Sequence, residues 1–214
     1  VKLDYDTARS LADVQIELKN QFKQAGAKVR WVPPPNMHIT IRFLGQVTEP
    51  MTYALKGMLE PIISDIPAFE LETAGLGVFP NAHKPRVVWA GTKKGAHELS
   101  EMHDEVSARL EEAGFHLDER AFRPHITLGR IKYGNGDPLT DFLNREETEP
   151  FFGTTLVRNL YCYRSDLKTH GAEYHTMWRL RMPREIATTT TDVSLESDSK
   201  QEHKGGNLHD DNTG

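Results

Sequence analysis

Apolar residues recur at two periods along the chain. Leu11, Val14, Leu18 and Phe22 are three or four apart, the spacing that collects side chains on one face of a helix. Asp6 is suited to cap that helix and Gly26 to stop it. Pro50 suits a first helical turn, and Leu55, Met58, Leu59 and Ile62 carry a second helix onward. Leu99, Met102, Val106, Leu110 and Ala113 mark a third, ended by Gly114, and Leu139, Phe142 and Leu143 a short fourth over roughly 138–147. Between these lie runs that read as strands: "NMHITIRFLG" (36–45), 69–79, 86–92, "RPHITLGRIK" (123–132), 151–165 and 173–182.

Two of those strands contain the same three letters, His-Ile-Thr. A core strand needs apolar residues, but it does not need a His and a Thr two apart. Side chains alternate faces along a strand, so His38, Thr40 and Arg42 share one face with Ile39 and Ile41 behind them. His125 and Thr127 share a face in the second copy, with Ile126 and Leu128 behind. Each half of the chain then reads helix, His-Ile-Thr strand, helix, strand, strand. The two histidines are 87 residues apart and the helix starts near 50 and 138 are 88 apart. Symmetry at one spacing predicts a duplicated fold of the α+β class. It is bilobal, with two pseudo-symmetric lobes whose antiparallel sheets face a central cleft and whose helices lie outside. The expected domain is 1–185, with lobes roughly 1–94 and 95–185 and room for terminal strand exchange.

Charge changes the picture only at the end of the chain. The formal net charge is −5, and four of those five negative charges fall after Ile186. Residues 186–214 lack hydrophobic periodicity and are rich in Thr, Ser, Asp, Asn and Gly, which predicts a disordered, acidic polar tail. The body is close to neutral, so no broad basic field marks a general nucleic-acid binder. A small polyanion held by local arginines remains compatible with it. No apolar run approaches the ~18 residues of a membrane span. The single cysteine, Cys162, lies in a strand pattern and is expected to be small, buried and reduced, which favours a cytoplasmic setting.

Two lobes facing each other would bring His38 and Thr40 opposite His125 and Thr127. Imidazoles on two sides of one reacting atom can act as general acid and general base near neutral pH. Hydroxyls donate to anionic oxygens. Phosphoryl transfer needs that set: a base for the nucleophile and an acid for the leaving oxygen. Metal chemistry has less support. His97 and His103 are six apart and do not share a helical face, and neither an HExxH motif nor a Cys/His cluster occurs. "GLGVF" lacks the helix start that a phosphate-binding loop requires.

The paired motifs resemble those of the two-histidine phosphoesterase superfamily, and more narrowly the RNA 2′,3′-cyclic phosphodiesterases, also called 2′-5′ RNA ligases. "MHITIRFLGQV", "GLGVFPNAHKPRVVWAG", "FRPHITLGR" and "LYCYRSDLKTHGAEY" fall in that family's order and cover nearly all of 1–183. The resemblance implies metal-independent hydrolysis of an RNA terminal 2′,3′-cyclic phosphate to a 2′-phosphate, with no cofactor. It implies His38 as proton donor to the leaving O3′ and His125 as proton acceptor from water, with Thr40 and Thr127 on the phosphate. The expected partners are RNA 3′ ends or nucleoside cyclic phosphates, with no membrane, and the chain is expected to be a monomer. The resemblance also implies a short apolar strand just ahead of Val1, most of which is expected to be missing here.

Arg130 resembles a phosphate-contacting arginine of the family's second motif. Strict alternation puts it on the face opposite His125, unless Gly129 marks a bulge that shifts the face. Arg42 has the parity of His38, with a surface ion pair as its plainer use, and Phe43 and Leu44 read as core. Two other functions fit the same residues. One is a catalytically idle RNA-end-binding module, and the other is ATP-independent joining of RNA ends through a 2′-5′ bond.

Overall fold

A computed structural model describes residues 1–134, 137–144, 149–168 and 171–184; the tail read over 186–214 lies outside the described residues. Helix α1 (Tyr5–Gln24) buries Leu11, Leu18 and Phe22. Asp4, not Asp6, takes its N-cap position, and the Asp4 carboxylate accepts from the Leu156 amide at 3.1 Å. Helix α2 (Glu49–Asp65) has Pro50 in its first turn. Helix α3 (Ala96–Glu112) buries Leu99, Met102, Val106 and Leu110, and the chain leaves it through Gly114 at φ +84°. Helix α4 spans Asp137–Leu143.

Among the described residues, seven strands form two antiparallel sheets. The larger has the order β1 (Lys28–Trp31), β4 (Ile126–Tyr133), β3 (Val87–Thr92), β2 (Phe69–Phe79), β5 (Phe151–Val157). The smaller is the hairpin β6 (Asn159–Lys168) and β7 (Gly171–Arg181). The fold is α+β, with strands from both halves of the chain sharing the large sheet. One sheet face packs on α1, where the Phe22 and Trp31 rings meet edge-on at 5.7 Å. Helix α2 backs the hairpin, and the Trp178 indole donates to the Thr52 carbonyl at 2.7 Å. Cys162 is buried in β6.

The strands depart from expectation in their detail. The run 151–165 is two strands. It breaks at Arg158, whose carbonyl accepts from Met182 at 3.0 Å, and this hands the chain from one sheet to the other with no Gly or Pro to mark the break. Strand β1 was not foreseen, because four residues of alternating Lys-Val-Arg-Trp give little period to read. The first His-Ile-Thr segment is not a regular strand. It holds only two isolated bridges, Lys2 to His38 and Ile39 to Ile126.

The reason lies in Pro33, Pro34 and Pro35. Val32 still donates to Leu128 at 2.9 Å, continuing the β1–β4 ladder. Proline has no N–H to extend it, so the chain swings out through a 3-10 turn at Pro34–Asn36 and rejoins β4 at Ile39. Ile39 and Ile126 are both fully buried, each contributing roughly 1.5–3 kcal/mol on area grounds. Phe43 is exposed, not core.

Candidate active site

The Ile39–Ile126 bridge is antiparallel, so the residues on either side of it oppose one another across the pair. His38 faces Thr127 and Thr40 faces His125. All four turn away from the buried isoleucines onto one face. Residues opposed in this way have Cβ atoms about 4.5–5.5 Å apart. The sequence motif thus becomes a two-by-two array of imidazoles and hydroxyls.

Both imidazoles are held in the same way. His38 Nδ1 lies 2.8 Å from the Asn36 carbonyl oxygen, and His125 Nδ1 lies 2.7 Å from the Arg123 carbonyl oxygen. A carbonyl only accepts, so each ring carries its proton on Nδ1 when neutral, and each Nε2 is left for chemistry. Thr40 Oγ1 sits 3.2 Å from His38 Nε2, where its hydroxyl donates to the neutral ring. The surroundings differ. His38 is packed edge-on to Tyr174 at 4.8 Å and near Tyr163 at 5.8 Å. Burial pushes its pKa below the ordinary 6.5, against the opposing pull of the Asn36 hydrogen bond. His125 stands edge-on to Phe79 at 5.0 Å, and Phe79 stacks on Trp89 at 4.9 Å.

Arg130 reaches the same face through a bulge. Opposite β3, Trp89 pairs with Thr127 but Val88 pairs with Gly129, so β4 carries one extra residue. Leu128 and Gly129 both turn toward the core, and Arg130 comes round to the side of Thr127. Glycine is required there, since a Cβ would lie 2.7 Å from Val29 Cγ1 and 2.9 Å from the Trp31 ring. Beneath the bulge the buried Gln15 amide donates to the Leu128 carbonyl at 2.9 Å and the Val32 carbonyl at 2.8 Å. Among the described residues Arg42 makes no ion pair. Its Nε donates to Ser107 Oγ and an Nη to the Asp118 carbonyl, both at 2.8 Å, tying the first motif to α3 and to the loop that leads to His125. Among the described residues, no three His, Cys, Asp or Glu side chains are grouped to hold a metal ion.

Known proteins share this arrangement of sequence. The model of the LigT-like phosphoesterase family matches residues 1–89 and 91–152, a span that contains both motifs. The chain belongs to the LigT-like phosphoesterase family. A relative from Aeropyrum pernix, named RNA 2′,3′-cyclic phosphodiesterase, is 35% identical over 164 residues, covering 77% of this chain and 92% of its own. One of the same name from Aquifex aeolicus is 33% identical, covering 78% and 89%. In fold, the chain matches E. coli LigT in its apo form with a TM-score of 0.65 at 22% identity, over 86% of this chain and 94% of that one. Membership makes the protein a phosphoesterase. No helix among its described residues is long and apolar enough to cross a membrane.

Several residues of this LigT-like site were not picked out from the sequence. Tyr163 and Tyr174 come from the hairpin, and the Asn36 side chain docks there by donating to the Ala172 carbonyl at 2.9 Å. Phe79 and Trp89 come from β2 and β3, where Gly77 leaves room for the Trp89 ring, 2.2 Å from where a Cβ would stand. Gln15 carried a usable signal, being a polar residue between Leu11 and Leu18 on the apolar face of α1.

Proposed function

We propose that this protein opens RNA terminal 2′,3′-cyclic phosphates with water and without a metal, leaving a 2′-phosphate and a free 3′-hydroxyl. The observation that carries the reading is the matched pair of Nδ1 locks, which leaves two Nε2 atoms and two threonine hydroxyls on one face. His125, neutral, takes a proton from water as its oxygen attacks phosphorus. His38, protonated at Nε2, gives its proton to O3′ as the P–O3′ bond breaks. Thr40, Thr127 and Arg130 hold the non-bridging oxygens, whose charge grows in the transition state. Each proton transfer contributes on the order of 10²–10⁴-fold.

The names of the relatives support the substrate class. The donor set supports metal independence, since the imidazoles are accompanied by hydroxyls and an arginine instead of carboxylate or thiolate ligands. Burial keeps His38 neutral in the free protein at neutral pH, so its role as acid depends on the bound phosphate anion drawing a proton onto it. The test is incubation with an oligoribonucleotide ending in a cyclic phosphate, in excess chelator. A 2′-phosphate product is expected. A 3′-phosphate product, or activity abolished by chelator and restored by one divalent ion, would overturn the reading.

A further inference from the structure

The cleft face of the large sheet continues past Arg130. Arg30 on β1 stands directly opposite Arg130 on β4, and Lys28 stands opposite Tyr133. A second register shift between Lys28 and Val29 leaves Lys132 in a bulge beside them. Lys28, Arg30, Arg130, Lys132 and Tyr133 are all exposed. Beside the end of this row, where the sheet meets the end of α1, an open recess is lined by His83, Lys84, Arg86, Lys132 and Tyr133 together with Ala25 and Ile131. The sequences of β1, β3 and β4 contain no Asp or Glu. Among the described residues none of Lys28, Arg30, Lys84, Arg86, Arg130 or Lys132 has an ion-pair partner, whereas Lys93 and Lys94 pair with Glu149 and Glu70.

Like charges directly opposite one another on a sheet destabilise it. A row of cations with no carboxylate among them is a cost that a bound polyanion would offset. The row begins at the phosphate end of the cleft and runs along β4 at about 3.3 Å per residue, so it is aligned to follow a chain of phosphates. We infer that Lys28, Arg30, Lys132, Arg86 and Lys84 form a track for the phosphodiester backbone of the nucleotides preceding the cyclic phosphate. The natural substrate is then an RNA strand several nucleotides long, and a nucleoside cyclic phosphate fills only the cleft. This rests on the reading of the cleft as the site of an RNA 3′ terminus.

Two measurements on the full chain test it. In the first, a labelled RNA octamer with a 2′-phosphate end is titrated at rising salt, with a mononucleotide 2′-phosphate as competitor. If about three phosphates are held, affinity should fall roughly 20-fold between about 50 and 200 mM salt, at a slope near −0.7 per phosphate on a single strand. Arg30→Glu/Lys132→Glu should flatten that slope by about 1.4, and Arg30→Gln/Lys132→Gln should behave similarly, with circular dichroism and melting as fold controls. In the second, kcat/KM is compared for a nucleoside cyclic phosphate and an octamer ending in the same group. The wild type should prefer the octamer by tenfold or more at low salt. The variants should lose that preference while keeping mononucleotide turnover. Equal use of both substrates, or variants that bind the octamer like wild type, would overturn the track. Salt-dependent octamer binding that the variants lose, with no turnover of either substrate, would leave the track standing and sink the hydrolase reading.

Discussion

The two His-Ile-Thr segments have the same letters and the same Nδ1 lock, but they are supported differently. The second runs straight into β4, the second strand of a five-stranded sheet, where the β3 ladder holds Ile126 and Thr127 on one side and the β1 pairing takes over from Gly129 on the other. The first is an irregular stretch after a proline excursion, fixed by two isolated bridges, the Asn36 side chain and the two tyrosines of the hairpin. The shared part is local: a carbonyl two residues back that fixes the ring, and a hydroxyl two residues on. Chemistry of this kind needs only that short arrangement, and the scaffold around it is free to diverge. The divergence then sets the electrostatics. Burial beside the hairpin depresses the pKa of His38, whereas His125 stands against Phe79, so two equal-looking histidines have unequal surroundings.

The largest effect should come from the imidazoles. His38→Ala and His125→Ala should each lower kcat/KM by about 10²–10⁴-fold, with folding intact by circular dichroism, and the double variant should be far from additive. If one single variant kept near-wild-type activity, the motifs would not be a catalytic pair. Next come the supports. Gly129→Ala drives a methyl into Val29 and Trp31 and should cost about 1–3 kcal/mol of stability. Gln15→Met strips the Val32 carbonyl of its amide donor and should cost about 1–3 kcal/mol. Asn36→Ala removes one hydrogen bond to the hairpin, at about 0.5–1.5 kcal/mol. Urea unfolding would rank the three, and the reverse order would mean that the first motif depends on its supports more than the second does.

The smallest effect is a pH dependence of stability. His38 titrates lower when folded than its ordinary 6.5, so the unfolded chain binds more protons in the window just below that value. The stability contributed by the neutral ring is therefore complete above about pH 6.5 and lost as pH falls toward the folded pKa. Urea midpoints at pH 7.5 and pH 5 should diverge more for wild type than for His38→Asn. Equal divergence would mean that the ring is not buried in solution as it is here.

Much of this was legible in the sequence, for identifiable reasons. Helices α1 to α3 announced themselves because a long amphipathic period averages out local noise. Strand β2 was placed at its observed bounds, flanked as it is by two prolines, Pro67 and Pro80. Alternation alone put His38 and Thr40 on one face of their segment and His125 and Thr127 on one face of theirs; that the two pairs lie side by side depends on the Ile39–Ile126 bridge, a long-range pairing where two facing lobes were expected. What stayed hidden depends on register between distant strands. The bulge that turns Arg130 was only suggested by Gly129, because a bulge is defined by its partner, here Val88. The Arg30–Arg130 juxtaposition was invisible for the same reason, since it lies across a β1–β4 pairing that the sequence did not reveal. A near-neutral body charge also concealed it, because totals average over a face that gathers cations and others that gather acids.

The central claim is that the two locked imidazoles divide the proton work, with His38 as acid and His125 as base. It is tested most directly with a cyclic phosphate carrying sulfur in place of the bridging O3′, a leaving group that departs without a proton. His38→Ala should be severely slow on the oxygen substrate and substantially rescued on the sulfur one. His125→Ala should be slow on both, because water must still be activated. Rescue of His125→Ala alone would reverse the two roles, and rescue of neither would contradict a separate acid and base.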